Sequence, residues 1–178
     1  MVSRYLLSFT LLLILLAGCS TLGTQRNVNN DEQVQKAGIE ISEEQLLDVW
    51  IEVFTPGDLP DDEEAASGLS SEIREAEARY MPLQLRDTME KTGYWGAVRV
   101  VPQGTEGGEV LVRGSILVSD GENLELDLTA LDAAGTEWFS STYEAKVSVE
   151  AYQGAGPSGQ EVFQALYNAI ANDLAVHR

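Results

Sequence analysis

Residues 109–132 read EVLVRGSILVSDGENLELDLTALD, in which two runs of alternating apolar and polar residues flank Asp120-Gly121. Such alternation is typical of a β-strand with one face on the core and the other toward water. Asp-Gly between the runs predicts a tight hairpin, because both residues tolerate the turn that joins twisted strands. The pattern predicts an antiparallel pair whose inner face carries Val110, Val112, Gly114, Ile116, Val118, Leu124, Leu126, Leu128 and Ala130.

The chain continues into a third strand and a final helix. Ala133-Ala134-Gly135 predicts a turn, and residues 136–149 alternate with Tyr143 on the inner face. Residues 153–160 contain several Gly and one Pro, which predicts a loop. Residues 160–176 carry apolar residues at helical spacing, which predicts an amphipathic helix whose stripe is Phe163, Leu166, Tyr167, Ile170, Ala171 and Leu174.

A longer helix is predicted upstream. Ser70 or Ser71 caps it, and Gly93 terminates it in a left-handed conformation. Pro82 predicts a kink or break near Met81, since proline lacks an N–H and its ring clashes with the preceding turn. The 3.6-residue spacing predicts an apolar face of Ile73, Ala76, Tyr80 and Leu83, continued by Asp87 or Met89.

Two strands, residues 47–54 and 95–102, flank this helix. Strand–helix–strand followed by an antiparallel meander predicts an α+β two-layer sandwich. We expect a mixed five-stranded sheet with two amphipathic helices on one face. Residues 39–178 are expected to form this single domain, a length sufficient for one core.

The amino terminus has the pattern of a secretory signal. Arg4 precedes an apolar run from Leu6 to Ala17, which is too short for a helix crossing the bilayer, since that needs ~20 residues. Residues 1–18 are therefore predicted to be a signal peptide.

Leu16-Ala17-Gly18-Cys19 resembles the bacterial lipobox, directly after this apolar run. The resemblance implies that Cys19 is acylated and becomes the first residue of the mature protein. Ser20, in place of Asp, implies the outer membrane of a diderm host, with the domain on the periplasmic face. The alternatives are an ordinary signal peptide followed by a chance Cys, or an uncleaved anchor.

Residues 19–38 are predicted to be a flexible tether. Asn, Gln and Thr dominate this segment, and no apolar period is present. A tether of this length would let the domain search for a partner near the membrane.

Composition excludes several classes of function. The formal net charge of −18 argues against nucleic-acid binding, which needs clustered Lys and Arg. One Cys and one His, Cys19 and His177, exclude a disulfide framework and a multi-histidine metal site. The run Asp61-Asp62-Glu63-Glu64 lacks the spacing of a calcium loop and is interpreted as a solvated acidic loop. We expect neither a metal nor another cofactor.

Paired carboxylates are the remaining route to catalysis. Asp127 with Asp132, and Glu72 with Glu75, are the pairs considered. A hydrolase needs two acids about 5–10 Å apart in a cleft. The alternation places Asp127 on the polar face of its strand, so solvated carboxylates are the expected outcome.

Tyr94, Trp95 and Arg99 form the most distinctive internal cluster and are the candidate partner-binding residues. Tyr, Trp and Arg are the residue types that dominate binding hot spots. The alternative is that Trp95 packs in the core. Four arginines stand out in an acidic chain, and they either pair with nearby acids or form a basic patch: Arg79, Arg86, Arg99 and Arg113.

Residues 108–116 (GEVLVRGSI) and 126–135 (LDLTALDAAG) resemble the central strands of a group of small periplasmic domains. The group includes the amino-terminal domain of the Tol-system β-propeller protein, the curli-secretion lipoprotein and the lipoprotein activators of penicillin-binding proteins. The resemblance covers residues 47–175 in topology. It implies a role in envelope assembly.

The expected function is that of a non-catalytic lipoprotein. Its lipid at Cys19 holds it to the membrane, and its domain binds another envelope protein; its oligomeric state is left open. The alternatives are a carboxylate-dependent envelope hydrolase and a carrier of a small ligand or lipid.

Overall fold

A computed structural model describes residues 23–59, 70–154 and 161–178. Among these residues, the centre is a six-stranded mixed sheet in the order β1-β6-β5-β4-β2-β3. Strands β4 to β6 form the antiparallel meander, while β2 pairs in parallel with β3 and β4, and β1 in parallel with β6. The strands are β1 (Thr24–Asn27), β2 (Leu47–Glu52), β3 (Trp95–Val101), β4 (Val110–Ser119), β5 (Asn123–Asp132) and β6 (Glu137–Lys146).

Three helices accompany the sheet in the described part of the chain: α1 (Ser71–Glu90), α2 (Val149–Gly154) and α3 (Gln164–His177). Helix α1 packs on β2 and β3, α3 packs on β6, and the two helices contact each other. The predicted α+β class with a mixed sheet is confirmed. The predicted count of five strands is wrong, because β1 adds a sixth.

The core lies between these helices and the inner face of the meander. Val110, Val112, Leu126 and Leu128 are buried there, as the alternation predicts. The apolar stripe of α3 is buried along its whole predicted length. Alternation in the strands and helical spacing in α3 therefore identify the same core from both layers.

The hairpin turn also follows the sequence. Gly121 adopts a φ of 91°, and the Asp120 carboxylate accepts hydrogen bonds from the backbone N–H groups of Glu122 and Asn123 at 2.9 and 2.7 Å. We call this end of the sheet the hairpin end. The opposite end, where β2, β3, β4 and β6 begin, is called the base.

A kink or a break is predicted near Met81; helix α1 is continuous through Pro82, so a break is wrong. Proline cannot donate to the carbonyl four residues earlier, that of Ala78. The backbone N–H of Phe54, just after β2, donates to this carbonyl instead at 3.0 Å. Pro82 therefore frees an acceptor that connects the helix to the sheet.

The buried face of α1 also differs from the predicted face. Ile73 and Tyr80 are exposed by 42% and 47%. Arg74 is 5% exposed: its Nη1 donates to the Ser119 carbonyl and to Glu77, which offsets its charge inside the fold, while its buried Nε has no hydrogen-bond partner among the described residues. The buried residues of the helix are Arg74, Ala78, Met81, Pro82, Leu85, Thr88 and Met89.

The predicted tether is wrong for residues 24–37. β1 pairs through its backbone with Ser141–Glu144 of β6, and its side chains are mostly exposed. Backbone pairing needs no apolar side chain, so a polar composition does not reveal such an edge strand. Residues 28–37, called the strap, then run back along α3 until Ala37 N–H donates to the Thr92 carbonyl at 2.8 Å.

Two buried asparagines of α3 hold the strap. Asn172 donates to the Gln33 carbonyl at 3.0 Å and to Glu32 at 3.1 Å, and it accepts from Gln35 N–H at 2.8 Å. Asn168 donates to the Glu32 carbonyl at 2.8 Å. These contacts make the strap part of the folded domain.

Candidate functional site

The structure does not bring the three predicted partner-binding residues onto one surface. Trp95 is 6% exposed and lies in the core, as the core interpretation predicts. Tyr94 is half-buried at the base, where its hydroxyl donates to the Lys36 carbonyl at 3.3 Å. Arg99 lies on the face of the sheet away from the helices, which we call the open face. It pairs with Asp48 at 3.5 Å.

Each of the four arginines singled out in the sequence has an acidic neighbour. The ion pairs are Arg79–Glu75, Arg86–Asp87, Arg99–Asp48 and Arg113–Glu52, at 3.2, 2.6, 3.5 and 3.5 Å. The pairing alternative is therefore correct for these residues, and they do not gather into a basic patch.

The carboxylates considered for catalysis serve local structure. Asp132 accepts hydrogen bonds from the backbone N–H groups of Thr136 and Ala134, which lower its pKa. Glu72 lies in the first turn of α1, where its own backbone N–H and Ser70 lower its pKa. Asp127 accepts from the Thr142 hydroxyl at 3.2 Å on the open face of the sheet.

A cavity of about 490 Å³ opens at the hairpin end, between α1, α2 and the start of α3. We call it the tyrosine cavity. Tyr80 comes from α1, Tyr152 from α2 and Tyr167 from α3. The rest of the described lining is Glu77, Met81, Ser119, Gly121, Leu124, Glu161, Val162 and Phe163. The cavity thus combines an apolar wall with hydroxyls and carboxylates, the usual composition of a binding site.

Hydrogen bonds fix the polar groups of the tyrosine cavity. The Tyr80 hydroxyl donates to Glu161 Oε2 at 2.8 Å, while Phe163 N–H donates to Glu161 Oε1 at 3.0 Å. The Tyr152 hydroxyl donates to the Gly121 carbonyl. These contacts tie the wall formed by α1 and α2 to the hairpin and to the start of α3.

Glu161 and Glu77 place carboxylates at the tyrosine cavity, and Glu77 is paired with Arg74. Burial, followed by the hydrogen bond to Glu161, raises the pKa of Tyr80 to about 12. Burial first, and then the charges of Glu161 and Asp120, raise the pKa of Tyr152. The pKa of the buried Tyr167 is raised mainly by burial, and Glu161 acts in the same direction. These carboxylates, together with aromatic faces, favour a cationic group.

A second cavity, of about 320 Å³, lies on the open face of the sheet. Glu52 is 7% exposed there, accepts from Gly104 N–H at 3.0 Å and pairs with Arg113. Asp127 lines the same cavity. We call it the open-face cavity.

Sequence reasoning missed the tyrosine cavity because its residues come from separate elements. Its tyrosines lie at positions 80, 152 and 167, and no local motif joins them. Tyr80 and Tyr167 were interpreted as apolar positions on two helices.

No group of three or more potential metal ligands is close enough to bind an ion within residues 23–59, 70–154 and 161–178. The acidic run at 61–64, interpreted above as a solvated loop and not a calcium-binding loop, lies outside the described residues. Cys19 and the signal segment lie outside them as well. None of the described helices combines the length and the apolar character needed to cross a membrane.

Comparison of the chain with models of protein families, with curated proteins and with solved structures finds no match.

Proposed function

We propose that this protein is a lipoprotein, anchored through Cys19 to the periplasmic face of the outer membrane, whose α+β domain binds another envelope protein without catalysing a reaction. The observation that carries the proposal is the sequence Leu16-Ala17-Gly18-Cys19 directly after a short apolar run. A lipid anchor raises the effective concentration of the domain near membrane partners, so modest contacts suffice for binding.

The tyrosine cavity supports the binding part of the proposal. Tyrosine is enriched in binding hot spots because it offers a large apolar ring with a polar end. Tyr152 is 45% exposed, so its ring is accessible to a partner while its hydroxyl stays fixed on Gly121. The carboxylates of the cavity favour a partner that inserts a lysine or arginine side chain.

Two measurements test this proposal. Mass spectrometry of the native product should find an acylated amino-terminal Cys19, and a Cys19→Ser variant should lose membrane association. Envelope crosslinking followed by affinity purification should recover a specific protein. A free thiol or a retained leader would refute the anchor, and the absence of any specific partner would refute the binding role.

Matched variants separate the two candidate surfaces. Tyr152→Ala removes a ring from the tyrosine cavity, whereas Tyr94→Ala removes a ring from the base. We expect the crosslinked partner to be lost with Tyr152→Ala and kept with Tyr94→Ala and Arg99→Ala. The reverse pattern would move the binding surface to the residues first suggested by the sequence.

The hydrolase alternative has one observation in its favour, since Glu52 and Asp127 line the open-face cavity together. Both contacts of Glu52 are with donors, Gly104 N–H and the Arg113 guanidinium. A general acid must itself donate a proton, so this arrangement suits binding better than acid catalysis. Hydrolysis of envelope glycan that is abolished by Glu52→Gln would reverse this preference.

A further inference from the structure

The folded domain begins very close to the proposed lipid. Gly23 lies beside Ser140 of β6, where a Cβ on the glycine would be 3.6 Å from the Ser140 carbonyl oxygen. Cys19 is four residues earlier, and an extended chain spans at most about 3.6 Å per residue, or about 14 Å in total. The lipid-bearing residue is therefore restricted to a short distance from this point of β6.

The strap prevents this connection from lengthening. Arg26 of β1 pairs with Asp173 and with Glu32, the latter at 3.0 Å. Asn172 holds the strap through three hydrogen bonds. Releasing residues 24–37 would break all of these contacts, so the folded domain keeps the short connection.

This geometry brings the base toward the membrane. Ser140 is three residues from Glu137, the first residue of β6, which corresponds to about 10 Å along the strand. The other end of β6, Lys146, is six residues away, or about 20 Å. Cys19 lies at most about 14 Å from Gly23, so it can extend beyond the base but cannot extend beyond the hairpin end.

The base carries the most exposed apolar side chains of the described chain. Ile39 is 80% exposed and Val176 is 75% exposed, ahead of Val149 at 57%. Val176 lies at the carboxyl end of α3, where the neighbouring His177 ring is 4.9 Å from the Phe139 ring of β6. Ile39 lies two residues after Ala37. The backbone N–H of Ala37 donates to the Thr92 carbonyl, which lies at the base just before β3. These positions are independent of the length argument and point to the same end.

We infer that the base of the domain rests on the lipid surface, with Val176 and Ile39 at the boundary between headgroups and acyl chains. This inference rests on the acylation of Cys19 proposed above. The charged residues at or near the base are mostly acidic: Glu40, Glu43, Glu44 and Glu137, against Lys36 and Arg178, in a chain of net charge −18. Because an acidic chain is repelled by anionic headgroups, the expected surface is a zwitterionic phospholipid.

Fluorophore-labelled variants of the full lipidated protein test this contact. Acylation consumes the single native thiol, so Val176→Cys and Ile39→Cys each introduce one labelling site, and Val149→Cys at the hairpin end is the matched control. The protein is bound to phosphatidylcholine vesicles that contain a brominated lipid as quencher. We expect most of the fluorescence to be lost at positions 176 and 39 and none at position 149.

Equal fluorescence at positions 176 and 149 on vesicle-bound protein would overturn the inference while leaving the anchor intact. Failure of the protein to bind vesicles, with an unmodified Cys19 by mass spectrometry, would refute the proposed function instead. A 15-residue Gly/Ser spacer inserted after Ser20 adds a reach of about 20 Å. We expect this spacer to remove most of the quenching at position 176, and undiminished quenching would overturn the restraining role of the short connection.

Discussion

Asn172→Ala should release the strap from α3. The Asn172 side chain is 4% exposed, donates to Gln33 and Glu32, and accepts from Gln35 N–H. Alanine removes all of these hydrogen bonds and leaves the Gln35 N–H without its partner in a partly buried position. The loss falls on a segment with few apolar contacts, so we expect opening of the strap before unfolding of the sheet.

The expected cost follows from the contacts. A hydrogen bond contributes about 1 kcal/mol net, so the loss of three gives about 3 kcal/mol. Because 1.4 kcal/mol corresponds to a factor of ten, the opening equilibrium of the strap should rise by about 100-fold. Asn30→Ala is the matched control, since Asn30 makes one exposed hydrogen bond, to the Lys146 carbonyl at 2.9 Å. Its expected cost is within ~0.5 kcal/mol.

Amide hydrogen exchange measures this opening residue by residue. We expect the protection of the Gln35 and Ala37 amides to fall by about 100-fold in Asn172→Ala, with smaller changes at the centre of β5. Urea unfolding gives the global cost in parallel. If Asn172→Ala and Asn30→Ala show the same protection at Gln35, the asparagine does not hold the strap and the reasoning is refuted.

Two further substitutions test packing and electrostatics. Gly114→Ala places a Cβ 2.6 Å from the Phe54 ring, so we expect the free energy of unfolding in urea to fall by about 1–3 kcal/mol. Gly38→Ala is the control: a Cβ there has no atom within 4 Å, so the free energy of unfolding should stay nearly unchanged. Tyr80→Phe removes the donor to Glu161 and should abolish the phenol that titrates near pH 12 in absorbance. A raised tyrosine pKa favours the neutral form, so the stability from Tyr80 is present below pH 10 and is lost as the pH rises toward 12; an unshifted phenol would contradict this.

The strands and α3 were predictable because their packing follows their sequence period. In β4 and β5 one face meets the helices and the other meets water, so alternation reports burial directly. Helix α1 breaks this relation at Arg74, a charged residue made compatible with the core by Glu77 and the Ser119 carbonyl. Glu77 is on the same helix, but Ser119 lies 45 residues away in sequence. A partner at that distance cannot be recognised from the helical spacing, which explains why the predicted face of α1 was rotated.

The candidate site was less predictable than the fold. Residues close together in sequence suggested Tyr94, Trp95 and Arg99. In a regular strand Trp95 and Arg99 would share one face, being four residues apart. The register of β3 against β2 shifts after Trp95, so Trp95 lies in the core while Arg99 is exposed. The tyrosine cavity instead depends on how α1 and α3 meet at the hairpin end, a property of the tertiary structure. β1 was missed for a related reason, since its pairing depends on the free edge of β6.

The two proposals together restrict the kind of partner. Strands β4 and β5 contain ten residues each and span about 33 Å, so a base resting on lipid places the tyrosine cavity about 30 Å above the headgroups. A partner that inserts a cationic side chain there must itself extend that far from the membrane or be free in the periplasm. A segment buried in the bilayer could not reach Tyr152 while the strap keeps the connection to Cys19 short.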